Sequence, residues 1–283
     1  MKTFTQHIDE LYKDYPGKGW LMPEDRPKIK PKDIVWRSKV HHWDNDVRSN
    51  NTRLIIVKNK GKFDFTQKRV EEFKKLTGLE DNELDGKICL DAGCGPGRWT
   101  YAMQQLGAKK VDSFDISSEA IKRCKEINPN AYTDSILDLK LNPVYDFVLS
   151  WGVLHHNRNT REAFTKVSSQ VKKGGVLHIM VYNKKYDHEY DGYRGDTSIE
   201  KHKEWEKLSF EEKIKICENK VKTIGGDIHG WFDAFNPEVN SSFTPNEVKE
   251  WFKEEGFDKI KLIVKSHFNS IPTSQVNMNG IKC

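Results

Sequence analysis

Long apolar runs are missing from this chain. Its longest apolar segment, Phe147 to Leu154, falls far short of the ~20 residues that crossing a bilayer takes. The opening Met1-Lys2-Thr3-Phe4-Thr5-Gln6-His7 lacks an apolar signal core, so the expected location is cytoplasmic and a membrane role is excluded. Cysteine is scarce: Cys89, Cys94, Cys124, Cys217 and Cys283 are odd in number and show no paired metal spacing. Reduced thiols are expected, with no disulfide framework and no zinc site. Cys283 is the last residue of the sequence and is not expected to belong to a prenylation box, which needs three following residues. A strong charge of one sign is also absent. With 47 basic and 42 acidic residues the net charge is only +5, partly gathered in Lys28-Ile29-Lys30-Pro31-Lys32 and Lys58-Asn59-Lys60-Gly61-Lys62. That is too little for the basic stripe of a nucleic-acid reader. No internal repeat, no low-complexity tract and no Gly-Lys-Ser/Thr phosphate loop occurs.

What the chain does have is Lys87-Ile88-Cys89-Leu90-Asp91-Ala92-Gly93-Cys94-Gly95-Pro96-Gly97-Arg98-Trp99-Thr100. Ile88, Cys89 and Leu90 form the short apolar run of a parallel strand covered on both faces. Glycines follow where the chain must turn sharply and admit a ligand to its backbone. Their successive even offsets differ from the dinucleotide fingerprint, whose third glycine falls one residue later. Lys110-Val111-Asp112-Ser113-Phe114-Asp115 reads as a second strand, ending in a carboxylate placed to accept hydrogen bonds from both hydroxyls of a ribose. A nucleoside fits this corner without a pyrophosphate.

Leu90 through Gly97, Asp115, Asp134, and Tyr145-Asp146-Phe147-Val148-Leu149-Ser150-Trp151-Gly152-Val153-Leu154-His155-His156 together resemble the class I S-adenosylmethionine-dependent methyltransferases, small-molecule type. Four motifs stand in the family's order and spacing from Gly86 to Tyr182, with weaker support from Phe243 onward. The resemblance implies a Rossmann-like α/β fold, a doubly wound, mostly parallel sheet of seven strands with a reversed edge hairpin. It also implies S-adenosylmethionine as cofactor. Gly93, Gly95 and Gly97, with Asp91 at their head, would pass beneath its methionine part; Asp115 and Ile116 would meet the ribose. Asp134, Ser135 and Ile136 would face the adenine, with Asp138 close enough to replace Asp134. Arg98 is a bidentate partner for the methionine carboxylate or a surface arginine on a first helical turn. Ser150 and Trp151 would line the methionine end, with Trp151 near the sulfur or as a plain wall.

Four segments organise the rest. Residues 1–65 are an N-terminal extension or lid, with Phe4, Ile8, Leu11 and Tyr12 on one helical face and Trp20, Trp36 and Trp43 as docking surfaces. Residues 66–183 are the cofactor-binding core. Within it the expected helices are Val70 to Leu76, Arg98 to Leu106, Ser117 to Glu126 and Thr160 to Val171. Lys173-Gly174-Gly175 is a stop signal before a strand over Val176 to Val181. Residues 184–243 break the rhythm as a helical cap insertion, loop-like around Gly225-Gly226 and Gly230. Residues 244–283 complete the sheet: Thr244-Pro245-Asn246-Glu247 carries a capping box with proline at the first helical position. Phe257 to Val264 is then a strand, and Ser274 to Ile281 a last antiparallel one.

His155 and His156 are adjacent and cannot point the same way from a regular element; either can serve as general base or only shape a helix start. In the insertion, His229 through Asn240 interleaves rings with a histidine, a carboxylate and amides. That is a pocket-wall composition or a set of rings packing the insertion. His155, His156 and His229 are therefore the catalytic candidates, and Trp151, His155, Trp231, Asp233 and Asn240 the substrate contacts. The leading expectation is methyl transfer to an oxygen or nitrogen of a small molecule. An RNA or protein acceptor, or cofactor binding without turnover, are the alternatives.

Overall fold

A computed structural model describes residues 67–225, 228–263 and 274–283, without the side chains of Lys68, Glu119, Phe210, Glu211, residues 228–230 and Asp233. The N-terminal extension and its basic clusters lie outside the described residues. The described part divides into two compact units, residues 67–187 with 241–283, and residues 188–240.

The first unit opens with α1 (Gln67–Thr77), which buries Val70, Phe73 and Leu76 and stops at Gly78, whose φ of +73° ends the helix. The alternating core follows: β1 (Ile88–Ala92), α2 (Arg98–Gln105), β2 (Lys110–Asp115), α3 (Ser118–Cys124), β3 (Tyr132–Thr133), β4 (Tyr145–Trp151), α4 (Thr160–Ser168) and β5 (Val171–Asn183). After the second unit come β6 (Ser242–Phe243), α8 (Pro245–Glu254), β7 (Phe257–Ile263) and β8 (Gln275–Lys282). The strands form one sheet in the order β3-β2-β1-β4-β5-β8-β7, with β6 added beside β5. β1 to β5 are parallel, whereas β8 pairs antiparallel with both β5 and β7. Two apolar layers cover the faces. Leu90, Val148, Leu177, Ile179, Phe164 and Phe252 pack on one side, and Phe73, Cys89, Trp99, Met103, Phe147 and Leu149 on the other.

The expected seven-strand path is present, and the two-residue β6 adds to it by pairing Tyr182 with Ser242 and Asn183 with Phe243. The last strand of the chain lies one place in from the edge and pairs antiparallel with both neighbours, as expected. Two expected boundaries differ. Helix α4 ends at Ser168, and β5 begins at Val171, running through Gly174 and Gly175. Gly230 lies inside a helix, Ile228–Phe235, where a loop was expected.

The second unit consists of α5 (Ser198–Glu206), α6 (Phe210–Thr223) and α7 (Ile228–Phe235). A capping box at Ser209 and Glu212 starts α6. The unit's core is aromatic: Tyr193 lies 4.6 Å from Phe235, Trp205 5.7 Å from Phe232, and Tyr190 5.1 Å from Trp231, centroid to centroid.

Candidate active site

The turn from β1 to α2 is made by three left-handed glycines, Gly93, Gly95 and Gly97, at φ of +85°, +51° and +95°. Side chains rarely adopt these angles, and packing closes two of the positions further. A Cβ on Gly93 would stand 2.5 Å from a Val153 methyl, and one on Gly97 2.9 Å from Cys124 Sγ. The N–H groups of Gly93 and Cys94 both donate to the Phe114 carbonyl at 2.9 Å, tying the turn to β2. Asp115, 5 % exposed at the end of β2, accepts Gly95 N–H on one oxygen at 2.8 Å and Ser117 N–H on the other at 2.9 Å. A carboxylate at a strand end is an acceptor of the kind that pairs with vicinal hydroxyls. This donor and acceptor set fits the nucleoside part of the expected cofactor.

Behind the turn runs a buried polar chain that sequence reading missed. Thr100 Oγ1 donates to Asp91 Oδ2 at 2.7 Å and shares a hydrogen bond with Ser113 Oγ at 2.8 Å; Asn128 Nδ2 donates to Ser113 Oγ at 3.1 Å and to the Val111 carbonyl at 2.9 Å. Asp91 is 1 % exposed. Burial pushes its carboxyl up to about 7, against the pull of the Thr100 hydrogen bond and with the Asp115 charge adding to the rise.

Asp134 follows β3. Its N–H donates to the Asp115 carbonyl at 3.0 Å, and its carboxylate, half-buried, accepts Ser135 N–H at 2.8 Å. Ser135 caps the next turn through Leu137 N–H, Ile136 is buried, Ile116 is half-buried, and Asp138 is exposed. Tyr132 stacks on Phe114 with centroids 5.7 Å apart. Ser150 Oγ donates to the Ala92 carbonyl at 3.0 Å, joining β4 to β1 just below the glycines.

Arg98, the first residue of α2, is 5 % exposed. Its guanidinium carbon stands 4.0 Å from the Trp99 ring centre and 5.1 Å from that of Trp151, and these two rings meet edge to face at 5.3 Å. It is not the solvated surface arginine of the second sequence reading. Such cation–π contacts contribute ~0.5 to 2 kcal/mol each as water is excluded.

His155 and His156 sit in a single 3-10 turn, Leu154–His156. Their rings do not diverge as the sequence suggested; their centroids are 4.1 Å apart, and both pack on Tyr182, at 3.8 Å and 5.6 Å. Both rings come from one short turn and pack beside Tyr182 near the end of β5. His155 is fully buried, with its carbonyl accepting Ser241 N–H at 2.9 Å, whereas His156 and Tyr182 are half-buried. Tyr182 was not singled out from the sequence; an aromatic residue at a strand's carboxyl end was the available signal.

In the second unit, Trp231 is buried and its Nε1 donates to the Gly225 carbonyl at 2.8 Å. Asn240 donates through Nδ2 to the Ala234 and Pro237 carbonyls at 2.9 Å and 3.4 Å, while its buried Oδ1 meets no partner among the described residues. His229 and Asp233 belong to α7, and their side chains lie outside the described set. Among the described residues, no group of three or more His, Cys, Asp or Glu is placed to hold a metal ion, and no helix is long and apolar enough to cross a membrane. All five cysteines are free; Cys94 and Cys124 lie Sγ to Sγ at 3.8 Å.

A doubly wound sheet with a glycine turn after its first strand and an acidic residue closing its second is an arrangement that binds a nucleoside at the carboxyl ends of its strands. The methyltransferase-domain family matches residues 64–262, and the chain belongs to the S-adenosylmethionine-dependent class I methyltransferases. It is similar to tRNA U34 carboxymethyltransferase of Actinobacillus succinogenes, 30 % identical over 102 residues, covering 33 % of this chain and 32 % of that protein. It is also similar to a probable protein arginine N-methyltransferase 6 of Arabidopsis thaliana, 23 % identical over 47 % of this chain and 35 % of that protein. The matches thus span about a third of these relatives' length. Among solved structures, magnesium protoporphyrin IX methyltransferase of Synechocystis PCC 6803 with bound S-adenosylmethionine superposes with a TM-score of 0.50 at 14 % identity, over 100 % of this chain and 99 % of that one. An S-adenosylmethionine-dependent methyltransferase of Mesorhizobium loti gives 0.50 at 14 % identity, over 75 % of this chain and 98 % of that one. At these identities the likeness speaks for the fold.

Proposed function

We propose that this chain transfers a methyl group from S-adenosylmethionine to an oxygen or nitrogen of a small molecule. The observation that supports the cofactor half is the Asp115 carboxylate at the end of β2, which accepts Gly95 N–H of the glycine turn and stands where the resemblance puts the ribose contact. When bound, the cofactor supplies a methyl group already activated on a sulfonium. The chain's own residues then bind and orient. Asp115 and Ile116 take the ribose, and Asp134, Ser135 and Ile136 border the adenine. Asp91, Arg98, Ser150 and Trp151 surround the amino-acid end. Holding acceptor and methyl in line supplies ~7 to 11 kcal/mol of the barrier in favourable cases. His156 is the base we assign for a hydroxyl acceptor, because its ring is half-buried beside Tyr182 while His155 is fully buried. Acceptor choice we assign to the insertion, with the Oδ1 of Asn240 as a hydrogen-bond acceptor within it.

A small acceptor is supported by the mild net charge of +5. One observation favours a second reading, an RNA acceptor: the relatives that match a third of this chain are named as tRNA-modifying enzymes. Incubation of the purified protein with methyl-labelled cofactor and three separate pools, fractionated metabolites, bulk tRNA and protein extract, decides between them. Label in the metabolite pool is the expected result. Label confined to tRNA or protein would replace the small-molecule reading, and no label in any pool would leave a binding protein without turnover.

A further inference from the structure

The last strand reaches across the sheet to the Trp151 ring. Trp151 of β4 is in register with Met180 of β5, and Met180 with Asn277 of β8. Side chains in register across neighbouring strands share a face, so the three form one row. Trp151 Nε1 spans it and donates to Asn277 Oδ1 at 3.1 Å. An indole N–H only donates, which fixes the orientation of the Asn277 amide. Its Nδ2 in turn donates to Gln275 Oε1 at 3.3 Å. Asn277 is 3 % exposed, and a buried amide with one end on a ring and the other on its own strand has little freedom to turn.

We propose that Asn277 is a positioning residue for the amino-acid end of the cofactor, holding the Trp151 indole so that its face walls the Arg98 guanidinium. The inference rests on the reading above that Arg98 receives the methionine carboxylate. Arg98 lies in the corner of two rings. Trp99 is its neighbour on α2, but Trp151 comes from another strand and can turn about its side-chain torsions. The hydrogen bond to Asn277 selects the rotamer in which Trp151 meets Trp99 edge to face at 5.3 Å and stands 5.1 Å from the guanidinium. Without that acceptor the half-buried indole loses its hydrogen bond across the sheet, and the ring is free to rotate toward another partner. The corner then opens, water enters, and the charge pairing of Arg98 with a carboxylate weakens.

The test compares two ligands. S-adenosylhomocysteine carries the amino-acid end, and 5′-methylthioadenosine keeps the nucleoside and thioether but lacks it. By calorimetry, Asn277→Leu is expected to weaken S-adenosylhomocysteine about threefold to tenfold, the range set by one net hydrogen bond, and to leave 5′-methylthioadenosine unchanged. Binding of the second ligand also reports that the variant is folded. Trp151→Phe keeps a ring without the N–H and is expected to show the same selective loss, with no further selective loss on adding Asn277→Leu. Unchanged binding of both ligands to Asn277→Leu overturns the proposal, and so does an equal loss for both, which marks a general structural role. Failure of the unaltered protein to bind S-adenosylhomocysteine would instead remove the functional reading itself.

Discussion

Replacing Asp91 with asparagine should remove a loss of stability that the unaltered protein suffers as pH rises. The carboxyl is fully enclosed, and burial lifts it from an ordinary 3.8 to about 7. As pH rises past about 4 the unfolded chain releases this proton, while the folded chain holds it until about 7. Over that window the folded state binds more protons, so stability falls with pH, and above about 7 it stays at the lower level. A difference of about three pH units corresponds to roughly 4 kcal/mol in full, of which about 2.5 kcal/mol falls between pH 5 and pH 8. The side-chain oxygen of the introduced asparagine can still accept the Thr100 hydroxyl, and the added amide donors impose a cost that does not depend on pH. The assay is urea unfolding of both proteins at several values from pH 5 to pH 8. The difference between the two curves isolates this group from every other titration. An expected slope of about 2.5 kcal/mol across the range supports the account; parallel curves would mean that Asp91 ionises in the folded protein as it does in the unfolded one.

Three further outcomes are expected. Gly93→Ala combines a φ of +85° with a Cβ 2.5 Å from Val153 and should cost ~2 to 5 kcal/mol. Gly86→Ala, at φ +70° with nothing within 4 Å, should lose only ~1 to 2 kcal/mol, and equal losses in urea titrations would refute the packing argument. Asp115→Ala should weaken S-adenosylhomocysteine at least ~10-fold by calorimetry, since it removes a charged acceptor; unchanged affinity would place the ribose elsewhere. His156→Ala should lower kcat by ~100-fold or more for a hydroxyl acceptor, with cofactor affinity retained; intact turnover would exclude it as base.

Much of the fold could be read from residue types, because the backbone makes demands that few residues satisfy. The capping box at Thr244 forms as its spelling suggests: Thr244 Oγ1 accepts Glu247 N–H at 3.2 Å, and Glu247 accepts Thr244 N–H at 2.6 Å. Gly93, Gly95 and Gly97 all adopt the left-handed angles that a sharp turn needs. The same reasoning misled at Gly174-Gly175, since glycine marks a helix stop and also a strand position where backbones crowd. A Cβ on Gly175 would stand 2.9 Å from both the Lys172 and the Tyr145 carbonyl oxygens, at the place where the β4 and β5 register shifts. Strand order lay beyond periodicity altogether. Period two shows that Gln275, Asn277 and Asn279 share a face, but not that β8 lies inside the sheet with that face toward Met180.

The acceptor half was harder to read, for a reason visible in Trp231. A string of rings, amides and a carboxylate has the same composition whether it lines a pocket or makes a small core, because both bury aromatic surface and satisfy polar tips. The partner of the indole N–H separates the two. Trp231 gives its N–H to the Gly225 carbonyl and its faces to Tyr190 and Phe235, which are the bonds of a core residue. The cofactor half rests on backbone geometry, where a wrong residue is a clash, whereas acceptor choice rests on side chains that many sequences can supply. One fold can therefore keep its cofactor turn fixed by backbone geometry while side chains alone vary the acceptor.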